Sequence, residues 1–148
     1  MAELRVPVTE SRFYVGPATF DVEDWASLST TGLRHLGTND EDPMIMIGTN
    51  IWSGSVGLSV SVGDLAEVER IVPYEHREEA AHRVQAEAPF FAWSFDIDPE
   101  PVLPPLPVGE YRVILLSAGI VPERYEAVAA HDTDERYWLV FQPVSSHR

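Results

Sequence analysis

Val56-Gly57-Leu58-Ser59-Val60-Ser61-Val62 alternates large apolar and small residues without a break. A strand sends successive side chains to opposite faces, so Val56, Leu58, Val60 and Val62 share one face and Gly57, Ser59 and Ser61 the other. The first face predicts a core; the second is small enough for a neighbouring element to approach closely. The same period of two recurs over 4–8, 12–22, 44–52, 91–97, 110–117 and 136–141. So many half-buried strands in 148 residues predict a mainly β chain. The expected architecture is an antiparallel β-sandwich or barrel-like single domain over 1–148, with at most one or two short helices.

Local signals refine this reading. Ser53-Gly54-Ser55 is short and rich in turn residues, which predicts a hairpin joining 44–52 to 55–62. Asn39-Asp40-Glu41-Asp42-Pro43 reads as an exposed acidic loop, with the proline at the first position of the following strand. Asp24 to Leu28 is a short helix or a long connection. Glu75 to Glu87 has the best helix propensity of the chain, yet its only large apolar residue is Val84. A helix there and a strand around 83–88 both remain open. The proline-rich stretch Pro99 to Pro107 predicts a stiff extended loop between strands, because proline cannot donate to a central ladder. Arg136 to Phe141 carries large residues on both faces, as a central strand or a binding surface does.

Composition excludes several chemistries. The chain has no cysteine, so it has neither a disulfide framework nor a thiolate nucleophile or metal ligand. Every basic residue is arginine, which removes the lysine of a phosphate-binding loop or a Schiff base. The net charge of −14 repels nucleic acid and anionic lipid and attracts basic proteins. No apolar run approaches the roughly 18 residues of a membrane span, and the start lacks a signal-peptide pattern, which makes a cytoplasmic location the default expectation.

Candidate catalytic and metal-binding groups do not converge. His35, His76, His82, His131 and His147 are widely spaced and read as surface histidines. On a helix His76 and His82 would lie about 120° apart, too far round to chelate one ion. The acidic clusters at 21–24, 39–42, 96–98 and 132–135 lack the glycine and spacing of a calcium loop and read as solvated loops. Gly57-Leu-Ser59-Val-Ser61 lacks the second glycine of a nucleophile elbow and lies on an alternating strand. No metal, cofactor or catalytic residue is assigned.

Five segments together resemble the bacterial competence nuclease inhibitor family, the ComJ-type proteins: Arg12-Phe-Tyr-Val15, Ile71-Val-Pro-Tyr74, Ser94-Phe-Asp-Ile97, Leu106-Pro-Val-Gly-Glu-Tyr-Arg-Val113 and Glu135-Arg-Tyr-Trp-Leu-Val-Phe141. The resemblance implies a small sandwich-like protein that inhibits a secreted or surface nuclease. It carries no site residues across, since Leu-Pro-x-Gly-x-Tyr is a device of β architecture, and the proline-rich stretch has no place in the pattern.

The residues themselves favour binding over catalysis. The first expectation is an acidic protein-binding domain of inhibitor or immunity type, neutralising a basic effector such as a nuclease or toxin. Its expected contacts are Asn39, Asp40, Glu41 and Asp42 in one acidic loop and Asp132, Asp134 and Glu135 in another, with Trp25 and Tyr125 as aromatic anchors. The alternatives are a small-ligand-binding β-barrel with a pocket near Trp52, Trp93 or Trp138, and a structural subunit of a larger assembly.

Overall fold

The structure, a computed structural model, describes residues 3–9, 12–17, 36–37, 44–49, 53–94, 99–120 and 132–144. Its elements are β1 (Leu4–Thr9), β2 (Arg12–Pro17), β3 (Leu36–Gly37), β4 (Ile45–Gly48), β5 (Ser53–Val62), α1 (Leu65–Ile71), β6 (His76–Val84), β7 (Phe90–Trp93), β8 (Glu100–Leu103), β9 (Gly109–Ala118) and β10 (Asp132–Pro143). The strands form one pairing path, β3-β4-β2-β1-β5-β10-β9-β6, with β7 on β2 and β8 on β7.

The path turns a corner between β1 and β2, whose pairing is reduced to Thr9 opposite Arg12. On one side of the corner lies a sheet of β1-β5-β10-β9-β6; on the other, β3-β4-β2-β7-β8. Their inner faces share one apolar cluster: Val8, Leu58, Leu115, Tyr137 and Phe141 from the first meet Phe13, Val15, Ile45, Ile47 and Phe90 from the second. The two ends of the path also approach each other. No ladder joins β3 to β6 among the described residues, but the Leu36 N–H donates to a Glu78 carboxylate oxygen at 3.1 Å. The architecture is therefore sandwich-like, mainly antiparallel and not closed into a barrel.

β5 and β10 are the parallel exception to the antiparallel expectation. β5 and β6 run in the same direction with β10 and β9 between them. The chain must cross both strands to get from one to the other, and α1 makes that crossing. The helix buries Leu65 and Val68 on Ile114, Leu116, Trp138 and Val140, the outward-facing residues of the strands it passes over. Covered on both sides, β10 has the central position that its two apolar faces allowed.

Three local expectations are corrected. Ser53-Gly54-Ser55 does not turn a hairpin: it starts β5 and pairs with Thr9, Val8 and Pro7, while β4 pairs with β2 and β3. The flanking runs belong to different sheets, so long-range pairing overrides the local turn signal. The open reading of 75–87 resolves as strand β6 over His76–Val84. Its alternation is disguised by alanine and glutamate: Glu78, Ala80, His82 and Val84 turn inward and Arg77, Glu79, Ala81 and Arg83 outward. A nine-residue ladder with β9 outweighs helix propensity. Part of the proline-rich stretch is likewise not loop but β8, whose pairing with β7 holds Pro101 opposite Phe91. It lies at the end of its sheet among the described residues, where a missing N–H is tolerated.

The small face of β5 is used as its sequence foretold. A Cβ on Gly57 would come within 2.6 Å of the Glu3 carboxylate, which lies across the strand to meet Arg136 at 2.8 Å. Ser59 pairs with Trp138, over whose ring the Arg136 guanidinium lies at 4.9 Å.

Candidate functional site

The ladder registers divide the molecule into two poles. β5, β6 and β10 run from the lower pole toward the upper and β1 and β9 run the other way, staggered so that Leu4 and His76, the starts of β1 and β6, are both level with Leu58 and Tyr137. The second sheet follows the same division. Thr9 opposite Arg12 places the start of β2 at the lower pole, and the 5.3 Å edge contact between Phe90 and Phe141 places the start of β7 at the upper one.

The lower pole is polar inside. β10 opens with an irregular stretch in which Asp132 to Arg136 spans only Ser55 to Gly57 on β5. Glu135, in that stretch, shares the inward parity of Tyr137, Leu139 and Phe141 and is 0 % exposed. The Tyr137 hydroxyl donates to the Glu135 carboxylate at 2.5 Å, a short charge-assisted bond. Burial, the charge and hydrogen bond of Glu135 and the charge of Glu78 together push the Tyr137 phenol well above its ordinary value. The phenol thus stays a donor at neutral pH. The Tyr137 hydroxyl gives the buried Glu135 side chain a partner, and Glu78 clasps the backbone of β3.

The upper pole is mainly apolar, with His82 buried opposite Tyr111, and is locked by local geometry. The link from β8 to β9 crosses it with Leu106 buried in the shared core and Pro104, Pro105, Pro107 and Val108 exposed. Tyr111 sends its hydroxyl back to the Pro107 carbonyl at 2.7 Å. Gly109 has φ 151°, which a side chain would strain. These contacts give Leu106-Pro-x-Gly-x-Tyr111 its physical meaning: a plug, a stiff exit, a glycine-only turn and a tyrosine that ties the corner down, as tyrosine corners do in other sandwiches.

Between the poles, the outward face of the first sheet carries matched charges. Arg77 bridges Glu69 of α1 and Glu79, Arg112 bridges Glu79, and Arg83 bridges Glu110. The hydrogen bond from Arg112 holds the Glu79 carboxyl below its usual range, while Glu69 raises Arg77 and Glu79 raises Arg112. These pairs are exposed and screened, and they leave little net charge on this face.

The structure separates the residues singled out from the sequence. Asn39, Asp40, Glu41, Asp42, Trp25 and Tyr125 lie outside the described residues, as does Trp52. Of the residues that bound the first acidic segment, Met44 precedes β4, which starts level with Val15 and Ala92, and Gly37 lies opposite Met46 in the middle of its sheet. Asp132 and Asp134 stand at the lower pole as part of β10. The expected acidic loop at 132–135 is thus strand, and Glu135 is withdrawn from any exposed contact by its burial. The irregular start of β10 turns its side chain to the core, something charge-based reading of Asp-x-Asp-Glu does not reveal.

The histidine reading is half corrected. His76 is exposed, but His82 is 4 % exposed and faces inward opposite Tyr111. On one face of a strand, six residues separate the two by roughly 20 Å. No group of metal-ligating side chains occurs among the described residues. Trp93 and Trp138 are buried, Trp93 with Tyr14 and Met46 and Trp138 beneath α1. No helix among the described residues is long and apolar enough to cross a membrane.

No protein-family model matches this chain, and no curated protein matches its sequence. Two solved structures match its fold. The crystal structure of ComJ from Bacillus subtilis, an inhibitor of the DNA-degrading activity of NucA, superposes with a TM-score of 0.53 at 13% identity, covering 97% of this chain and 96% of that one. The product of crocagin biosynthetic gene J superposes with a TM-score of 0.52 at 16% identity, covering 97% of each chain. At these identities the likeness is one of architecture: the chain adopts, over nearly its whole length, the ComJ-like β fold that its quoted segments resemble.

Proposed function

We propose that this chain is an inhibitor-type protein-binding domain that neutralises a basic effector, a nuclease first among the candidates. The observation that carries the reading is the full-length likeness to ComJ, an inhibitor of a DNA-degrading activity. Independent support comes from the sequence, whose net charge of −14 favours a basic protein over nucleic acid as partner. The absence of cysteine and lysine agrees with a function that needs neither thiol nor amine chemistry. On this reading 1–148 acts as one cytoplasmic domain without a cofactor. Asn39–Asp42, Asp132 and Asp134 steer the encounter, and Trp25 and Tyr125 contribute anchors.

The test is DNA degradation by a panel of purified basic endonucleases that includes NucA, with and without the chain at increasing molar ratio. Stoichiometric loss of degradation by at least one enzyme, weakening as salt rises, supports the proposal. Full activity across the panel at tenfold molar excess sinks it.

A further inference from the structure

The outward face of the first sheet holds a cradle at Gly57 that the chain fills with a carboxylate of its own. Arg5 on β1 and Arg136 on β10 are the ladder partners of Gly57, so an arginine flanks the glycine on each side. Arg5 is tied down by hydrogen bonds from Nη2 to the Ser55 carbonyl at 3.0 Å and hydroxyl at 3.1 Å. The Arg136 guanidinium lies 4.9 Å from the centre of the Trp138 ring, which is itself buried in the cluster beneath α1. On the floor between them rests Glu3. A Cβ on Gly57 would stand 2.6 Å from Glu3 Oε2 and 2.8 Å from its Cδ, and the same oxygen accepts a hydrogen bond from Arg136 Nε at 2.8 Å. Gly57 has no positive φ, so what this glycine supplies is room, and the group that uses the room is a carboxylate. The other outward ion pairs lack such a floor: Arg77 stands opposite Leu116, and Arg112 opposite Ala81 and Gln142.

The Arg136 and Glu3 side chains remain 41% and 35% exposed, so the rim of the cradle faces solvent. It is too shallow to enclose a small molecule, which a ligand pocket buries almost whole, but a side chain on a docked protein reaches it. The stacked guanidinium is a pre-ordered fork of donors and loses little freedom when a carboxylate pairs with it. We infer that the Gly57 cradle is a recognition site for one carboxylate side chain of a protein partner, held closed by Glu3 as a tethered competitor. The inference goes beyond the inhibitor reading and does not depend on it. At a distance the net charge of −14 selects a partner that is basic overall; in contact the cradle reads one acidic side chain on that partner.

The test follows the Gly57 amide and the Arg136 Nε–H by NMR in the full chain while N-acetylglutamate N-methylamide is added at constant ionic strength. A carboxylate tethered in place competes at an effective concentration on the order of millimolar or higher, so Glu3→Ala lowers the half-saturating probe concentration at least about tenfold relative to wild type. The neutral glutamine analogue of the probe shifts neither signal, and inorganic phosphate shifts them less than the probe does. Adding Gly57→Ala to Glu3→Ala fills the floor with a methyl group and abolishes the saturable shift. That double variant keeps its fold, because the contact of the new Cβ closer than 3.4 Å is with Glu3 alone; an unchanged circular dichroism spectrum checks this. Should it misfold, Arg136→Gln in the Glu3→Ala chain, read at the Gly57 amide, serves instead and also removes the shift. No saturable shift in Glu3→Ala, the same half-saturation with and without Glu3, an equal response to the glutamine analogue or to phosphate, or an undiminished response in the double variant would each overturn the inference.

Discussion

The two poles of this molecule close the same sandwich with opposite chemistry. The upper pole is sealed by apolar contacts, with Leu106 between the sheets and Phe141 edge-on to both Phe90 and Tyr111 at 5.3 and 6.3 Å. The lower pole is held by polar contacts, with Glu135 buried on Tyr137 and Glu78 reaching the backbone of Leu36. Apolar closure is non-directional and depends on the area buried more than on the placing of any one donor. Polar closure works only with every donor in place, since a buried carboxylate that loses a partner is costly. The upper pole consequently rests on side-chain packing, and the lower pole carries a hydrogen bond whose donor titrates.

The comparison can be broken most forcefully at the top. Phe141→Ala removes the ring that joins both sheets there and should cost about 3–5 kcal/mol in urea unfolding. A loss below about 1 kcal/mol would mean that the ring contacts do not hold that end. At the lower pole, Tyr137→Phe keeps the ring and its 6.1 Å edge contact with Phe13 but removes the donor to Glu135, for an expected loss of about 1–3 kcal/mol.

The same variant sharpens the contrast through pH. The folded Tyr137 phenol titrates well above the ordinary tyrosine value of about 10, so its contribution is complete below that pH. Above about pH 10 the unfolded chain gains by ionising and the folded one does not, so stability falls as pH rises. Melting curves between pH 8 and 11 should fall more steeply for the wild type than for Tyr137→Phe; parallel curves would argue against a buried, neutral phenol.

Smaller effects separate local locks from exposed pairs. Tyr111→Phe deletes the tie to Pro107 and should cost about 1 kcal/mol, with amide exchange quickening in 104–109 before it does elsewhere. Arg112→Gln breaks the solvent-accessible bridge to Glu79 and should give the smallest change of the series, one that shrinks in high salt. A large, salt-independent effect would show that the charge ladder on the outer face holds β6 in place.

Much of the fold was legible in the residues because the relevant physics is local. Alternation at 56–62 and 136–141 found β5 and β10, and large residues on both faces of the latter left a central strand or a binding surface open, of which the structure shows the first. Helix α1 escaped notice because seven residues with two buried side chains make a weak period. β6 was ambiguous because its inward residues include glutamate and histidine, whose burial depends on partners far along the chain. The site was less legible still. Charge clusters mark acidic segments without saying which pole each occupies, and Glu135 looked like its neighbours Asp132 and Asp134 until the irregular start of β10 turned it inward.

By itself the sequence determined the mainly β character, the strand faces, the corner at Leu106–Tyr111 and the chemistries this chain lacks. Each follows from periodicity, backbone restriction or the presence of a side chain, all properties of residues close in the chain. Only the tertiary structure decided that β5 pairs with β10 and not β4, that α1 crosses two strands, and that Glu135 and His82 are buried. Those outcomes depend on which distant segments bury each other's faces, a long-range choice for which local periodicity carries no record.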